Sequence, residues 1–213
     1  MKTYVLKDER KKELKLLDKA LQKISRKELP HILHVQQAIL RASDEYMYKK
    51  GVTRIMPIMI APITDTLNHD VEDCELKYEG QKFNITKSMI FHKQIMLSSP
   101  YLDKIYIVSP NVRLEQEEEG DKRHLFEFTQ VDFEFKGASM DDVFEFQEGL
   151  VKYVFDYIKK ECADEFKTLG IGTSHLDVTI PFKRYTTQEL KAKYGDDFEE
   201  IASKKATQPF WLI

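Results

Sequence analysis

Two neighbouring segments of this chain carry arginines, carboxylates and aromatic rings at a spacing of two residues. The first runs Ser109-Pro-Asn-Val-Arg-Leu-Glu115, and the second runs Arg123-His-Leu-Phe-Glu-Phe-Thr-Gln-Val-Asp-Phe-Glu-Phe135. Alternate residues of the second segment form a largely polar set and an apolar set, which predicts a β-strand with one face against a core. The polar set is Phe126, Phe128, Gln130, Asp132 and Glu134, and the apolar set is Thr129, Val131, Phe133 and Phe135. We therefore expect the polar set to face solvent or a ligand.

The two segments are predicted to pair as strands of a hairpin. Arg113 and Glu115 are two residues apart and share a face, so pairing joins them to the carboxylates opposite. A guanidinium can hold a phosphate or a carboxylate with two hydrogen bonds, a carboxylate can accept from an amino group, and a ring can stack on a base. These groups together favour a nucleotide site. An ordinary amphipathic hairpin with surface ion pairs explains the same spacing.

The two segments also resemble motif 2 of the class II aminoacyl-tRNA synthetases, in the aspartyl and asparaginyl subgroup. The shared pattern is Arg-x-Glu, a loop, and Arg-His-x-x-Glu-Phe-Thr-Gln-x-Asp-x-Glu. The resemblance implies that Arg113 is the catalytic residue and holds the α-phosphate of ATP and the activated carboxylate. It further implies that Glu115 binds the adenine amino group, that Phe128 stacks on adenine, and that Arg123 and His124 bind the outer phosphates. Gln130 and Asp132 would bind the amino-acid substrate, with Asp132 facing its α-ammonium.

A third segment, Lys87-Ser-Met-Ile-Phe-His-Lys-Gln94, resembles the aspartyl-synthetase segment Gln-Ser-Pro-Gln-Leu-Tyr-Lys-Gln. Ser88, Lys93 and Gln94 match, while Lys87 and Ile90 replace glutamines. The resemblance implies that Ser88 and Lys93 bind aspartate, with Lys93 reading its side-chain carboxylate, because an ammonium pairs with a carboxylate better than with an amide. Asp65 aligns with an acidic residue that holds the substrate's ammonium in this family. The alternative for Lys93 is a solvated lysine on a helix.

The run from Val52 to Pro62 is apolar and β-branched and contains Pro57, which predicts an edge or interface strand. A long helix followed by such a strand resembles motif 1 of the same family, which forms a dimer interface. We therefore expect a homodimer through residues 30–62.

Apolar periodicity predicts the remaining elements. The first helix carries its apolar stripe at Leu14, Leu17, Leu21 and Ile24. The predicted helices span residues 9–26, residues 31–50 with Gly51 at the end, residues 141–160, and residues 188–202 with Thr187 as the cap, and a strand precedes the last of them. We expect one partial catalytic domain over residues 1–213, with an α+β fold: a class II synthetase-type antiparallel sheet flanked by helices.

Composition agrees with a globular protein. The chain has 213 residues, of which 42% are hydrophobic, and its formal net charge is −3. No apolar run approaches the ~18 residues needed to cross a bilayer, and we expect a cytoplasmic protein without membrane contact. Cys74 and Cys162 lie far apart, which predicts neither a disulfide nor a zinc site. His31 and His34 are expected to have capping or surface roles rather than to bind a metal.

Charge is uneven along the chain. Residues 1–50 contain thirteen Lys and Arg against seven Asp and Glu. This surplus is compatible with an arm that binds tRNA, or with a solvated helix whose lysines and glutamates form exposed pairs.

The chain stops at Gln208-Pro-Phe-Trp-Leu-Ile213. In the family, the acidic residues that bind Mg²⁺ and the glycine-rich motif 3 follow a similar strand. We therefore expect a fold that lacks its last strands and motif 3, no metal ligand in this chain, and poor adenylation by the chain alone. ATP and Mg²⁺ are the cofactors that the resemblance implies.

The family's anticodon-binding barrel does not precede the first helix, so the resemblance is greatest to the archaeal asparagine synthetases related to asparaginyl-tRNA synthetase. It implies that ATP activates aspartate to aspartyl-adenylate, that ammonia then gives asparagine, and that tRNA is not a partner. Two alternatives remain open. One is a synthetase paralogue that acts on tRNA, and the other is an inactive fragment that retains dimerisation and weak nucleotide binding.

Overall fold

A computed structural model describes residues 2–64, 71–114 and 125–213. The chain divides into two compact units, one of Met1–Ala42 with Glu148–Ile213 and one of Ser43–Gln147. We call them unit 1 and unit 2. Helices and strands are mixed along the chain, so the predicted α+β class is confirmed.

The helices are α1 Lys2–Ile24, α2 Leu29–Lys49, α3 Ile90–Leu97, α4 Met140–Glu161, α5 Ala163–Leu169, α6 Thr187–Tyr194 and α7 Phe198–Lys205. The strands are β1 Thr53–Arg54, β2 Ile60–Ala61, β3 Glu75–Tyr78, β4 Gln81–Ile85, β5 Lys104–Val112, β6 Glu127–Phe135, β7 Lys183–Tyr185 and β8 Phe210–Leu212.

The main sheet of unit 2 has the order β1-β5-β6. Strands β5 and β6 pair antiparallel along their whole length, so the predicted hairpin is confirmed. Strand β1 lies at the edge, as predicted for this run, and is parallel to β5, although Pro57 itself lies in neither β1 nor β2. The run from Val52 to Pro62 is not one strand, however, because its second part, β2, joins a different sheet of order β2-β4-β3.

The core of unit 2 forms on the apolar face of β6. The rings of Phe133 and Phe135 lie 4.9 Å and 4.6 Å from that of Phe146 on α4. Phe133 and Phe135 belong to the apolar set that alternation predicted, and the tilted and edge-on ring arrangements are favourable for aromatic pairs. On the opposite face, Ile105 and Ile107 of β5 are fully buried.

Unit 1 contains two apolar clusters. One contains Ile158 of α4, Cys162 directly after α4, Phe166 of α5 and Leu176. The other joins Leu190, Phe198 and Ala202 of the last two helices, next to the parallel pair β7 and β8. Both cysteines are free, as expected. None of the described helices has the length and apolar character needed to span a membrane.

Helix α1 is present as predicted, but its apolar stripe is largely exposed. Leu14, Leu17, Leu21 and Ile24 retain between 47% and 61% of their accessible surface. The periodicity that predicted the helix is therefore not accompanied by burial of the stripe among the described residues. Periodicity shows which residues share a face, whereas burial requires another element to cover that face.

The predicted helix over residues 188–202 is two helices. Helix α6 ends at Gly195, which has a φ of 78°, and α7 begins at Phe198. The cap is Thr186, not Thr187 as predicted. The Glu189 backbone N–H donates to Thr186 Oγ1, and the Glu189 carboxylate accepts from the Thr186 backbone N–H at 2.7 Å. This reciprocal pair is a capping box, which satisfies two N–H groups at the helix start.

Candidate nucleotide and amino-acid site

The hairpin of β5 and β6 brings the predicted site residues of unit 2 to one face. Ser109 lies opposite Gln130, and Ile107 lies opposite Asp132. The pairing continues past β5, because the Arg113 N–H donates to the Phe126 carbonyl at 2.9 Å. Residues directly opposite each other share a face, and alternate residues return to it. Along this face lie, in order, Arg113, Phe128, Gln130, Asp132 and Glu134.

Arg113 and Phe128 are in contact at one end of this face. The guanidinium carbon lies 5.3 Å from the centre of the Phe128 ring, within the range of a cation–π interaction. Phe128 is half-buried and does not belong to the apolar core on the other face of β6. The guanidinium Nε also donates to the Lys87 carbonyl at 3.1 Å. These two contacts hold the guanidinium next to the end of β5.

Lys93 of α3 lies at the other end of the face, between two carboxylates. Its Nζ is 2.7 Å from Asp132 Oδ1 and 3.1 Å from Glu134 Oε2, and its side chain is only 3% exposed. The alternative of a solvated lysine is therefore wrong. An ammonium removed from water needs opposite charge, and the two carboxylates supply it.

Helix α3 packs against β5 and β6 and covers part of the face that alternation predicted to be open. Asp132 and Glu134 keep 33% and 29% of their side-chain surface. At these two residues the polar face is therefore partly covered by the protein itself and partly open to solvent. The carboxylates are half-buried because the buried ammonium of Lys93 compensates their charge.

The segment from Thr86 to Ser88 connects the two ends of the site. The Val112 N–H donates to the Thr86 carbonyl at 2.9 Å, next to the contact of Arg113 with Lys87. Ser88 is buried, and its Oγ accepts from the Ile90 N–H at 3.3 Å, at the start of α3. The segment that leads to Lys93 is therefore fixed to the strand that ends at Arg113.

Lys87, which stands where the resembling segment has glutamine, is also buried. Its Nζ lies 2.7 Å from Asp73 Oδ1 and donates to the Val71 carbonyl at 3.0 Å. Its ammonium is thus used by residues 71–73, and only its backbone carbonyl serves Arg113. The second replacement, Ile90, is half-buried and begins α3.

Asn111 is a site residue that the sequence analysis did not assign. Its Nδ2 donates to Gln130 Oε1 at 2.8 Å and it is only 1% exposed, while its Oδ1 is buried without a partner among the described residues. It fixes the amide of Gln130 on the shared face. Its position two residues before Arg113, on the same side of the strand, was the available signal.

Four predicted site residues, Asp65, Glu115, Arg123 and His124, lie outside the described residues. Within the described ranges, no group of three or more His, Cys, Asp or Glu residues could hold a metal ion. His34 Nδ1 lies 3.2 Å from Glu165 Oε1 and the His34 side chain is 61% exposed, so His34 has the expected surface role and also an acidic partner. That partner is remote in sequence and comes from α5.

Comparison with known proteins identifies the family of the chain. A family model described as tRNA synthetases class II (D, K and N) matches residues 11–213. An aspartate–tRNA(Asp/Asn) ligase of Methanocorpusculum labreanum is 29% identical over 183 residues, which cover 81% of this chain and 41% of the relative. An aspartate–tRNA(Asp) ligase of Pyrococcus abyssi is 30% identical over 172 residues, which cover 80% of this chain and 37% of the relative. The chain thus spans about two fifths of the length of these curated relatives.

The names of these relatives support the tRNA-ligase alternative better than asparagine synthesis. They also give no support to the expectation that tRNA is not a partner.

Solved structures show the same fold. Asparaginyl-tRNA synthetase from Pyrococcus horikoshii, complexed with asparaginyl-adenylate, matches with a TM-score of 0.81 at 20% identity, over 92% of this chain and 47% of that one. The corresponding adenylate complex from Entamoeba histolytica matches with a TM-score of 0.73 at 19% identity, over 92% of this chain and 46% of that one. The predicted class II synthetase-type fold is therefore confirmed. With a family model matched along residues 11–213, the chain belongs to the class II tRNA synthetases of the D, K and N group.

Proposed function

We propose that this chain provides the ATP-binding and aspartate-binding residues of a ligase that activates aspartate as aspartyl-adenylate and transfers it to tRNA. The observation that carries the proposal is the buried Lys93 on the same sheet face as the Arg113 and Phe128 pair. The names of the aspartate–tRNA ligases among the relatives support the choice of amino acid and acceptor.

Lys93 is the proposed determinant for aspartate. Its ammonium is anchored by Asp132 and Glu134, which fixes its position before a ligand arrives. A substrate carboxylate that reaches it forms a charge-assisted hydrogen bond, whereas the amide of asparagine offers only a neutral acceptor. The negative charge of Asp132, which keeps a third of its surface, suits the substrate's α-ammonium.

Arg113 and Phe128 are the proposed ATP contacts. Alternate residues of a strand are about 7 Å apart, so the face from Phe128 to Asp132 is about 14 Å long and can hold a nucleotide next to an amino acid. The α-carboxylate of aspartate attacks the α-phosphorus of ATP, the bond to the β-phosphate oxygen breaks, and pyrophosphate leaves with the electron pair. Arg113 neutralises charge on the α-phosphate and holds the two anions in line.

The proposed roles of Ser88 and Gln130 are to shape the aspartate pocket. Gln130 is held by Asn111, and Ser88 by the start of α3. The roles proposed for Asp65, Glu115, Arg123 and His124 follow from the resemblance alone. No described residue is assigned to Mg²⁺, because the described residues offer no suitable ligand group.

The acceptor distinguishes tRNA charging from asparagine synthesis. In the proposed reaction a terminal ribose hydroxyl of tRNA attacks the acyl carbon of the adenylate and AMP leaves. In the asparagine synthetase alternative, ammonia attacks the same carbon. Labelled aspartate that becomes acid-precipitable with tRNA supports the first reaction, and labelled asparagine formed from ammonium without tRNA supports the second.

We also propose a homodimer through residues 30–62. This region exposes apolar side chains at Ile32, Leu33, Met56, Ile58 and Ile60, with exposures between 44% and 80%. Light scattering after size-exclusion chromatography tests it. We expect a dimer that Ile58→Asp converts to a monomer, while a wild-type monomer would reject the proposal.

The aspartate site is tested by calorimetry with Lys93→Met. We expect aspartate binding to be lost in Lys93→Met and kept in Lys87→Met, which also removes a buried ammonium paired with a carboxylate. The matched control separates loss of the substrate contact from general damage by an emptied lysine site. Unchanged aspartate affinity in Lys93→Met rejects the proposed function.

A further inference from the structure

Unit 1 contains a cavity of about 510 Å³ that has no role in the proposed reaction. It is lined by β7, by helices α6 and α7, and by residues 206–210 that lead into β8. Every residue of it belongs to unit 1, whereas Lys93 and Arg113 belong to unit 2. Small-molecule sites usually have volumes of about 300–1,000 Å³, so this cavity is large enough for a ligand of mononucleotide size.

The cavity is lined by cations without compensating anions. Lys183 of β7, Lys193 of α6 and Lys205 of α7 all contribute to its wall. Among the described residues that line it, none is Asp or Glu. Three positive groups around one concave surface attract a multiply charged anion, because their potentials add there.

Two of the lysines are held at the same aromatic ring. The Nζ atoms of Lys193 and Lys205 lie 5.0 Å and 4.9 Å from the centre of the Tyr194 ring. A hydrogen bond to the Tyr194 side chain raises the pKa of Lys193 above its ordinary value. Helices α6 and α7 pack against each other through Leu190, Phe198 and Ala202. The two ammonium groups therefore come from helices that are fixed relative to each other.

Aromatic rings complete the wall. The rings of Tyr185 and Phe210 lie 5.5 Å apart, nearly edge to face, and both residues line the cavity with Tyr194. An aromatic surface next to ammonium groups suits a ligand with a flat or apolar body and a charged end. Lysine acts as a point-charge partner of phosphate, so no bidentate geometry is required.

We propose that this cavity binds a small phosphorylated ligand with at least two negative charges, of up to mononucleotide size. Inorganic pyrophosphate and a free nucleotide both carry the phosphate groups that the lysines would bind. Only the nucleotide also uses the aromatic wall. The site is independent of the proposed adenylate chemistry, since none of its residues takes part in it.

The test is calorimetry and amide NMR on the whole chain with pyrophosphate, AMP and adenosine as probes. An Arg113→Ala background removes a proposed nucleotide contact of unit 2. We expect saturable binding of pyrophosphate or AMP, with shifts of amides in residues 183–210 and weaker binding at higher salt. Adenosine, which lacks the phosphate, should not bind. Tighter binding of AMP than of pyrophosphate identifies a nucleotide as the ligand, and equal binding identifies the phosphate group alone.

Paired lysine variants localise the site. Lys193→Gln with Lys205→Gln should weaken binding roughly five- to tenfold. Lys191→Gln with Lys204→Gln removes the same charge from the same helices outside the cavity and should change affinity less than twofold. If the first double variant does not fold by circular dichroism, Lys183→Gln on β7 replaces it, with an expected loss of roughly threefold. Equal losses in both double variants, or no saturable binding in the Arg113→Ala background, overturn the proposal.

Discussion

The Nζ atom of Lys93 lies 2.7 Å from Oδ1 of Asp132, although the two residues are 39 positions apart in the chain. The contact joins the start of α3 to the middle of β6, and it defines one end of the candidate site. Glu134, at 3.1 Å, is the second carboxylate at this ammonium. In the proposed function, the substrate's carboxylate binds an ammonium that protein carboxylates already hold in place.

This relationship predicts strong coupling between Lys93 and Glu134. A double-mutant cycle with Lys93→Met and Glu134→Gln, measured by chemical denaturation, should give a coupling energy of about 1–3 kcal/mol. Lys93→Met leaves the half-buried Glu134 without this counter-charge, and Glu134→Gln leaves the buried ammonium with Asp132 as its one remaining carboxylate of the pair. Additive effects of the two changes would mean that the contact contributes little in solution.

ATP binding is predicted to depend on the contact between Arg113 and Phe128. Arg113→Ala should weaken ATP binding roughly ten- to 100-fold, as expected for loss of a hydrogen bond to a charged group of about 1.5–3 kcal/mol. Arg54→Ala is the matched control, since its guanidinium also lies over a ring, that of Tyr106 at 6.0 Å, and pairs with Asp44. Calorimetry with equal ATP affinity in both variants contradicts the assignment.

Capping of α6 provides a prediction about stability. Thr186→Ala should lower the free energy of unfolding by about 1 kcal/mol, because the Glu189 N–H loses its partner. Thr187→Ala, one residue along, should have a smaller effect. Thermal melts of the two variants compare them directly, and a larger effect at Thr187 would restore the cap that the sequence predicted.

The same capping box predicts a dependence on pH. Hydrogen bonds from the backbone and then the side chain of Thr186 lower the pKa of Glu189 below its ordinary value. A carboxyl group with a lowered pKa in the folded state stabilises the fold fully above its unfolded pKa, about 4.3, and this contribution disappears as pH falls through the folded value. Glu189→Gln should therefore be less stable than wild type at pH 7 and should differ less as the pH falls through the lowered pKa of Glu189. A stability difference that is constant over this range contradicts the prediction.

Much of unit 2 could be predicted from the sequence because its signals are local. Alternation along residues 126–135 predicted which side chains of β6 share a face, and Pro57 predicted an edge strand. Thr186 and Gly195 also carried readable signals, a capping box and a helix stop. They were assigned incorrectly. Thr187 is also a residue type that caps helices, although Leu190 and not a glutamate stands three residues after it, and apolar residues at helical spacing continue past Gly195.

The sequence by itself determined the family, the order of the motifs, and the strand faces on which Arg113, Phe128 and Asp132 lie. Strand periodicity and spaced motifs are properties of residues that are close together in the chain. Only the tertiary structure decided that Lys93 is buried between two carboxylates, that His34 meets Glu165, and that the stripe of α1 stays exposed. These outcomes depend on which remote elements meet, because burial and charge compensation are set by packing and not by spacing along the chain.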